Sequence, residues 1–282
     1  MAVKDRWADL HIHTVKSDGT CTVEEIFERA KTAGVEAIAI TDHDTSAGVE
    51  EALYMEKKYG VEFVPGVELS AMYNGREVHV VGLYIDWRDK KFAEKLVFFQ
   101  KKRVERAKKI IRKLKEHGLN IKYEELYEIT DNMGNAGRLH IARLLAGRKL
   151  VKSIKEAFEK YLSEGAPAYV EKEKITVKEA IDIIQGVGGL AILAHPGSMN
   201  RDEMIGSWRA EGLDGIEVFH PDHSNTKAGM YMDIAKKNNL LVSGGSDFHG
   251  SHRTGGIGDV KLPYEFFEKL REYYRANGGK GR

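Results

Sequence analysis

Six short apolar runs in this chain end in histidine or a carboxylate, and that repeated ending narrows the folds open to it. The runs are WADLHIH (7–13), AIAITDH (37–43), VEFVPGVE (61–68), GLAILAHP (189–196), GIEVFHP (215–221) and LLVSGGSDFHG (240–250). They are β-rich and alternate with helical patterns, the signature of βα units on a parallel sheet. His11 and His13 close the first strand, Asp42 and His43 the second, and Glu68 the third. His195, His220, and the pair Asp247 and His249 close the last three. In a β/α barrel those ends share one face, where active sites sit.

A seventh run, EVHVVGLYI (77–85), follows an Asn74-Gly75 turn. That dipeptide predicts a two-residue hairpin rather than a helical crossover. An antiparallel strand presents an early residue to the shared face, so His79 joins the set. The fold expected is α/β: a distorted seven-stranded (β/α)7 TIM-like barrel with a helical insertion. No G-x-G-x-x-G or Walker-type loop follows the first strand, which argues against a nucleotide-binding doubly wound sheet.

The rhythm changes between residues 88 and 170. KKFAEKLVFFQKKRVERAKKIIRKLKEHG carries apolar residues at helical spacing and ends in Gly118, and shorter helical patterns follow it. The reading is a barrel built from 1–87 and 171–282, with 88–170 a helical insertion contributing to the substrate site. At 282 residues and 42% apolar, the chain can fill a core of that size. A formal charge of +1 gives no pull towards nucleic acid or membrane. No apolar run approaches the ~18 residues of a membrane span, so a cytoplasmic protein with no membrane and no obligate protein partner is expected. Cys21 is the only cysteine, which excludes an intrachain disulfide and a cysteine-based zinc site.

One histidine after a strand is an ordinary loop residue. The set His11, His13, His43, His79, His195 and His249, with Asp18, Glu68 and Asp247, is different. Burying so many titratable groups together without compensating charge is very costly. Divalent cations supply that charge, and imidazole with carboxylate suits Zn, Mn or Fe.

These residues also carry a family resemblance. D-L-H-I-H-T (9–14), S-D-G (17–19), T-D-H-D (41–44), G-V-E (66–68), A-H-P (194–196) and S-D-F-H (246–249) resemble, in order, the motifs of the PHP (polymerase and histidinol phosphatase) family. The resemblance implies three divalent metal ions. One would take His11, His13, Glu68 and Asp247. A second would share Glu68 and add His79 and His195. The third would take Asp18, His43 and His249. Residues 137–142, GRLHIA, are similar to the insertion motif of stand-alone members that act as nucleoside 3′,5′-bisphosphate phosphatases or 5′-to-3′ exonucleases on short RNA. Leu139 stands where those relatives have proline.

The chemistry expected is hydrolysis of a phosphate monoester by metal-bound hydroxide, releasing inorganic phosphate from a small nucleotide-type substrate or short RNA. Glu68 would bridge two ions, Asp247 would accept the water's proton, and His220 would protonate the leaving group. Arg138 is the expected phosphate clamp, because guanidinium binds phosphate in a bidentate fork. Ser17 and His223 are further substrate-binding candidates, with Lys16 or Arg253 as a second basic group. Asp9 and Asp42 are expected to orient imidazole rings, and Asp44, Thr14 and Thr41 to do similar work. The alternatives are a histidinol phosphatase and a non-catalytic regulatory module.

Overall fold

A computed structural model of the chain describes residues 6–130, 134, 136–171, 175–199, 201–250 and 255–277. The alternation read from the sequence forms as β1 (Trp7–Ile12), α1 (Val23–Ala33), β2 (Ala37–Ile40), α2 (Val49–Tyr59) and β3 (Glu62–Tyr73). A capping box starts α1: Thr22 Oγ1 accepts from the Glu25 amide at 3.2 Å, and the Glu25 carboxylate accepts from the Thr22 amide at 2.7 Å. Asn74 and Gly75 both take positive φ (46° and 80°), the geometry of a type I′ turn, and launch β4 (Arg76–Leu83) antiparallel to β3. Beyond the helical region lie α6 (Val177–Gln185), β5 (Leu190–Leu193), α7 (Ile205–Ala210) and β6 (Gly215–Phe219). The chain continues through α8 (Asn225–Lys237), β7 (Leu241–Gly244), β8 (Leu262–Pro263) and α9 (Tyr264–Ala276).

The sheet order is β7-β6-β5-β4-β3-β2-β1-β8. The β1–β2–β3 and β5–β6–β7 groups are parallel, and β4 is antiparallel to both neighbours. Among the described residues the sheet has eight strands where seven were expected. The extra one pairs Leu262 and Pro263 antiparallel with Ala8 and Trp7; two residues carry no periodic signal that a sequence could show. The last parallel strand returns to the first through a bridge between Ile12 and Phe248, with the His13 amide donating to Phe248 O at 2.9 Å. The sheet thus nearly closes into a barrel, and the strand ends carrying the histidines converge.

Between β4 and α6 the helices α3 (Lys90–Glu116), α4 (Arg138–Gly147) and α5 (Ile154–Ala157) build a core of their own. Ile110, Ile111 and Leu114 pack there with Ile141, Leu144, Leu145 and Leu162. The first half of α3 belongs elsewhere: Phe92 and Leu96 join the barrel cluster with Val80, Ile181 and Ile184. One helix therefore roots the second core in the barrel wall. Among the described residues no helix is long and apolar enough to cross a membrane.

Candidate metal centre

Glu68 is buried at the end of the parallel part of β3, and its two oxygens face different histidines. Oε1 lies 2.9 Å from His79 Nδ1 and 3.3 Å from His195 Nε2, which are 3.2 Å from each other. Oε2 lies 3.4 Å from His11 Nε2, 3.3 Å from His13 Nε2 and 2.9 Å from His43 Nδ1. Asp247 Oδ1 completes the second group, at 3.4 Å from His11 Nε2 and 3.3 Å from His13 Nε2. His11 and His13 approach each other through Nε2 at 3.1 Å. On the far side of His13, Asp18 Oδ1 meets His249 Nε2 at 3.3 Å, with His43 Nε2 3.9 Å from Asp18 Oδ2.

Those spacings test whether the residues fit metal ions. Metal–ligand bonds of about 2.0–2.2 Å place neighbouring ligand atoms roughly 3.0–3.5 Å apart in tetrahedral or octahedral geometry. The separations around Glu68 fall in or just below that range. Among the described residues, three overlapping groups have ligand atoms close enough to hold an ion: His13, Asp18, His43 and His249; His11, His13 and Glu68; His43, Glu68 and His79. Asp18 Oδ1, His43 Nδ1 and Glu68 Oε2 are buried there without a hydrogen-bond partner among the described residues. Buried polar atoms in native proteins are nearly always satisfied. The donor set fits divalent cations.

The hydrogen-bond network assigns the ring tautomers. His11 Nδ1 donates to Glu217 Oε1 at 2.8 Å and His249 Nδ1 to the Asp247 carbonyl at 2.7 Å, leaving each Nε2 as a lone pair aimed inward. Ser198 Oγ donates to the His195 carbonyl and so accepts from His195 Nδ1 at 3.0 Å, with the same result. His79 enters the other way round, with Nε2 3.5 Å from Glu77 Oε1 and Nδ1 inward. His220 differs in kind. Its Nδ1 accepts from the Asp222 amide at 3.1 Å, so Nε2 carries the proton and faces Asp247 Oδ2 at 3.5 Å.

With no ion bound, the facing carboxylates draw a proton to the inward nitrogen of His11 instead. Burial lowers the basicity of the rings, but the facing carboxylates outweigh it, lifting His13 to about 9, His79 to about 10 and His11 well above the ordinary range. His43 is lowered, because its burial exceeds the help of Glu68 and Asp18. Burial works to raise Asp18, Glu68 and Asp247, yet the surrounding imidazoles hold all three well below the usual carboxylate range. The pocket is an acidic cage that draws positive charge from whatever is present.

Backbone geometry sustains this crowding. Asp44, His195 and Asp247 take left-handed φ values of 51°, 29° and 48°, an arrangement kept only where surrounding contacts over-determine it. Gly245 must be glycine, since a Cβ there would stand 2.4 Å from the His11 amide nitrogen and 2.8 Å from Asp9 Oδ1.

All nine expected metal ligands, with His220, therefore meet at one end of the barrel. The remaining candidates fall differently. Ser17 is buried and donates to Asp42, which also accepts from the Thr14 amide at 2.8 Å and the Thr14 hydroxyl at 2.7 Å. Asp42 thus fastens the 14–17 turn and, through Ser17, whose Oγ lies 3.5 Å from His13 Nδ1, also reaches the His13 ring. Asp9 likewise accepts from backbone, the Ser246 amide at 2.9 Å and the His11 amide at 3.5 Å, and its burial pushes it up to about 6. Thr41 Oγ1 serves the β1 backbone at Ile12, and Asp44 accepts from the Ser70 amide at 3.2 Å and pairs with Arg103. Both nitrogens of His223 are engaged: Nδ1 donates to Val218 O at 2.9 Å and Nε2 accepts from the Gly197 amide at 3.1 Å. His223 therefore holds the loop that carries His195. Lys16 pairs with Glu51 at 3.5 Å, and Arg253 lies outside the described residues. Arg138 lies 3.4 Å from Glu77 Oε2 and donates to the Leu162 carbonyl at 3.4 Å, with its guanidinium 5.7 and 6.0 Å from the Tyr169 and Phe158 ring centroids.

Two residues escaped the sequence reading. Glu217, buried in mid-strand, holds the His11 ring through Oε1 and accepts from the His195 amide through Oε2 at 2.7 Å. Its signal was present in GIEVF: a carboxylate flanked by apolar residues in a strand that has no solvent face. Arg143 lines the cavity over the centre and donates to the Asp18 carbonyl at 3.0 Å. No spacing rule separates it from an ordinary helix-surface arginine.

Comparison with known proteins agrees with this geometry. The family model described as the PHP domain matches residues 9–173. The chain is 34% identical over 252 residues to a 3′,5′-nucleoside bisphosphate phosphatase of Chromobacterium violaceum, covering 88% of each chain. It is 36% identical over 249 residues to a 5′-3′ exoribonuclease of Haemophilus influenzae, covering 86% of this chain and 89% of that one. A Bifidobacterium adolescentis structure assigned to the metal-dependent phosphoesterases superposes with a TM-score of 0.87 at 28% identity, over 94% of this chain and 95% of the other. The chain belongs to the PHP domain family of metal-dependent phosphoesterases.

Proposed function

We propose that this protein hydrolyses a phosphate monoester on a nucleotide-type substrate, a nucleoside 3′,5′-bisphosphate or a 5′-phosphorylated short oligonucleotide, and that three divalent cations sit in its centre. The observation that carries the reading is the split of Glu68, each oxygen facing its own group of histidine nitrogens. In the proposed sets, His11, His13, Glu68 and Asp247 hold one ion. Glu68, His79 and His195 hold a second, and Asp18, His43 and His249 a third. Such ions, Mn, Fe or Zn, neutralise phosphoryl oxygens and lower the pKa of water near neutrality.

The chain's own groups then manage protons and charge. Asp247, kept ionised by its neighbours, accepts the proton of the attacking water. His220 Nε2–H, 3.5 Å from Asp247 Oδ2, is a neutral donor placed to hydrogen-bond the departing oxygen, and the proton that oxygen needs returns from Asp247. Arg138 turns from its long 3.4 Å contact with Glu77 to clamp a phosphate that enters above the centre. Glu217 keeps the His11 lone pair on target and ties that ring to the His195 loop. Residues 1–87 and 171–282 form the catalytic barrel in this reading, and the insertion 88–170 supplies the substrate side. The free, buried Cys21 suits a reducing cytoplasm, where nucleotide substrates are found.

The test is phosphate release from a panel of nucleoside 3′,5′-bisphosphates, 5′-mononucleotides, 5′-phosphorylated short RNA and histidinol phosphate. Chelated protein and protein reloaded with Mn, Fe or Zn are compared. Turnover of the nucleotide substrates, lost on chelation and restored by metal, is expected. Full activity after chelation overturns the metal reading, and turnover of histidinol phosphate alone overturns the substrate class.

A further inference from the structure

A formal charge of +1 conceals a strong local imbalance. Helix α3 carries twelve lysines and arginines against three glutamates. The excess is steepest from Lys101 to Lys115, where nine cations face the single carboxylate of Glu105. Among the described residues, carboxylates lie within ion-pair distance of two of the nine: Glu105 is 3.7 Å from Lys102, and Asp44 pairs with Arg103. Lys102 and Arg106, Lys108 and Arg112, and Lys109 and Lys113 are like-charged neighbours at i,i+4, a spacing that destabilises a helix. A helix that keeps such repulsion on its surface is suited to a polyanion that relieves it.

One stripe of this charge begins beside the metal centre. Arg106, Lys109 and Lys113 stand at i, i+3 and i+7, along one side of the helix. That side meets the 169–170 segment: Arg106 Nε donates to the Val170 carbonyl and Lys113 Nζ to the Tyr169 carbonyl, both at 2.7 Å. Arg106 and Arg138 share the Tyr169 ring, at 5.9 and 5.7 Å from its centroid. Arg138 in turn reaches Glu77, which stands 3.5 Å from the His79 ring. From Arg106 the stripe runs about 10 Å towards the helix C-terminus. Arg106 is half-buried, and among the described residues it has no carboxylate within ion-pair distance. Burial and the like charge of Arg138 push it down to about 10. A guanidinium held there without an anion of its own is a place for one from outside.

We infer that Arg106, Lys109 and Lys113 form a track for the phosphodiester backbone of a single-stranded oligonucleotide whose 5′ end lies at the metal centre. The inference rests on the nucleotide reading above and favours the oligonucleotide over the bisphosphate as its substrate. A bisphosphate has no group left to place along the helix, whereas a strand brings one phosphate per nucleotide. Backbone contacts carry no base information, so the track reads length and not sequence. A membrane surface suits it less, because Ala107, Ile110, Ile111 and Leu114 of the same turns are committed to the insertion core and none remains to enter lipid.

The experiment uses the full-length, metal-loaded protein and two double variants, Lys109→Ala with Lys113→Ala and Lys109→Arg with Lys113→Arg. Binding of a nuclease-resistant phosphorothioate pentaribonucleotide, 5′-phosphorylated and 3′-labelled, is followed by fluorescence anisotropy across salt concentrations. Turnover of adenosine 3′,5′-bisphosphate is measured beside that of the unmodified pentaribonucleotide. The wild type is expected to bind the strand, more weakly as salt rises. The alanine pair should flatten the log–log salt slope by about 1.4, the loss of two phosphate contacts on a single strand, and the arginine pair should keep the wild-type slope. In the alanine pair KM should rise about tenfold for the strand, the scale of a lost charged contact, and stay within about twofold for the bisphosphate. Should the pair fail to fold, Lys109→Ala decides alone, because its side chain is exposed. No strand binding by the wild type, an unchanged slope in the alanine pair, or an equal rise in KM on both substrates overturns the inference. So does tighter binding to phosphatidylglycerol vesicles than to the strand. Strand binding weakened in the alanine pair, in an enzyme that turns over no nucleotide, supports the track and refutes the substrate reading instead.

Discussion

The two ends of the same sheet are built on opposite principles. Towards one end, Ala8, Leu10, Ala39, Val64, Val81 and Ile192 pack with Leu262, Phe267 and Leu270 of the C-terminal segment in a wholly apolar cluster. Towards the other, a few residues further along those strands, His11, His13, Glu68 and Asp247 are buried to the same degree. Exposure alone does not distinguish them. The apolar end is stabilised by the surface it removes from water, and any side chain of the right volume serves. The polar end has no such latitude, because each buried charge needs its own partner. One end stabilises the fold, and the other is held in place by it.

Substitutions sharpen that contrast. The largest effect is expected for Glu68→Gln, which weakens the bridge between two groups of ligands. Activity should fall more than the 10–100-fold typical of lost supporting groups around a metal, with metal content by elemental analysis falling too. Retained metal and turnover would break the comparison. Phe267→Ala at the apolar end should cost about 3–5 kcal/mol of stability in urea unfolding, while the surviving folded protein keeps its metal content. Loss of metal from folded Phe267→Ala would show that the two ends are not separable. Glu217→Gln lies between them: it touches no substrate, yet metal affinity measured by competition with a chelator should weaken by about 10–100-fold. Arg138→Ala should raise KM for phosphorylated substrates by about tenfold, the lower range for a charged hydrogen bond, with metal content unchanged.

The smallest effect is a pH trend in chelated protein. His13 and His79 are raised to about 9 and about 10 by facing carboxylates. A raised histidine stabilises the fold fully below its unfolded value of about 6.5, and that contribution disappears as pH rises through the folded value. Chelated protein should therefore lose stability between about pH 6.5 and 10, and metal-loaded protein should lose less, since ions replace the protons. Denaturation midpoints across that window measure both; identical slopes would refute the account.

Several features of the fold were legible in the chain because they are local. The Asn74-Gly75 dipeptide specifies its turn through two positive φ angles, and Thr22 with Glu25 specifies a helix start through two hydrogen bonds. The order of strands and the residues at their ends follow from period and punctuation, which is why the nine residues that converge on the centre could be named. The eighth strand could not be read, since a pair at Leu262 and Pro263 becomes a strand only where Trp7 and Ala8 lie beside it. Ser17 and His223 are read as substrate groups from their neighbours in sequence, and that reading carries no information on their partners across the fold. In the fold their polar atoms are taken up by Asp42 and by the Val218 and Gly197 backbone.

By itself, then, the sequence determined which residue types stand at the strand ends and in what order, because a strand's alternation and its termination are properties of a few neighbouring residues. Only the tertiary structure decided which nitrogen of each ring faces the centre. The Glu217 carboxylate that orients His11 is 206 positions away, and a histidine's free lone pair is set by whichever partner the fold brings to its other nitrogen.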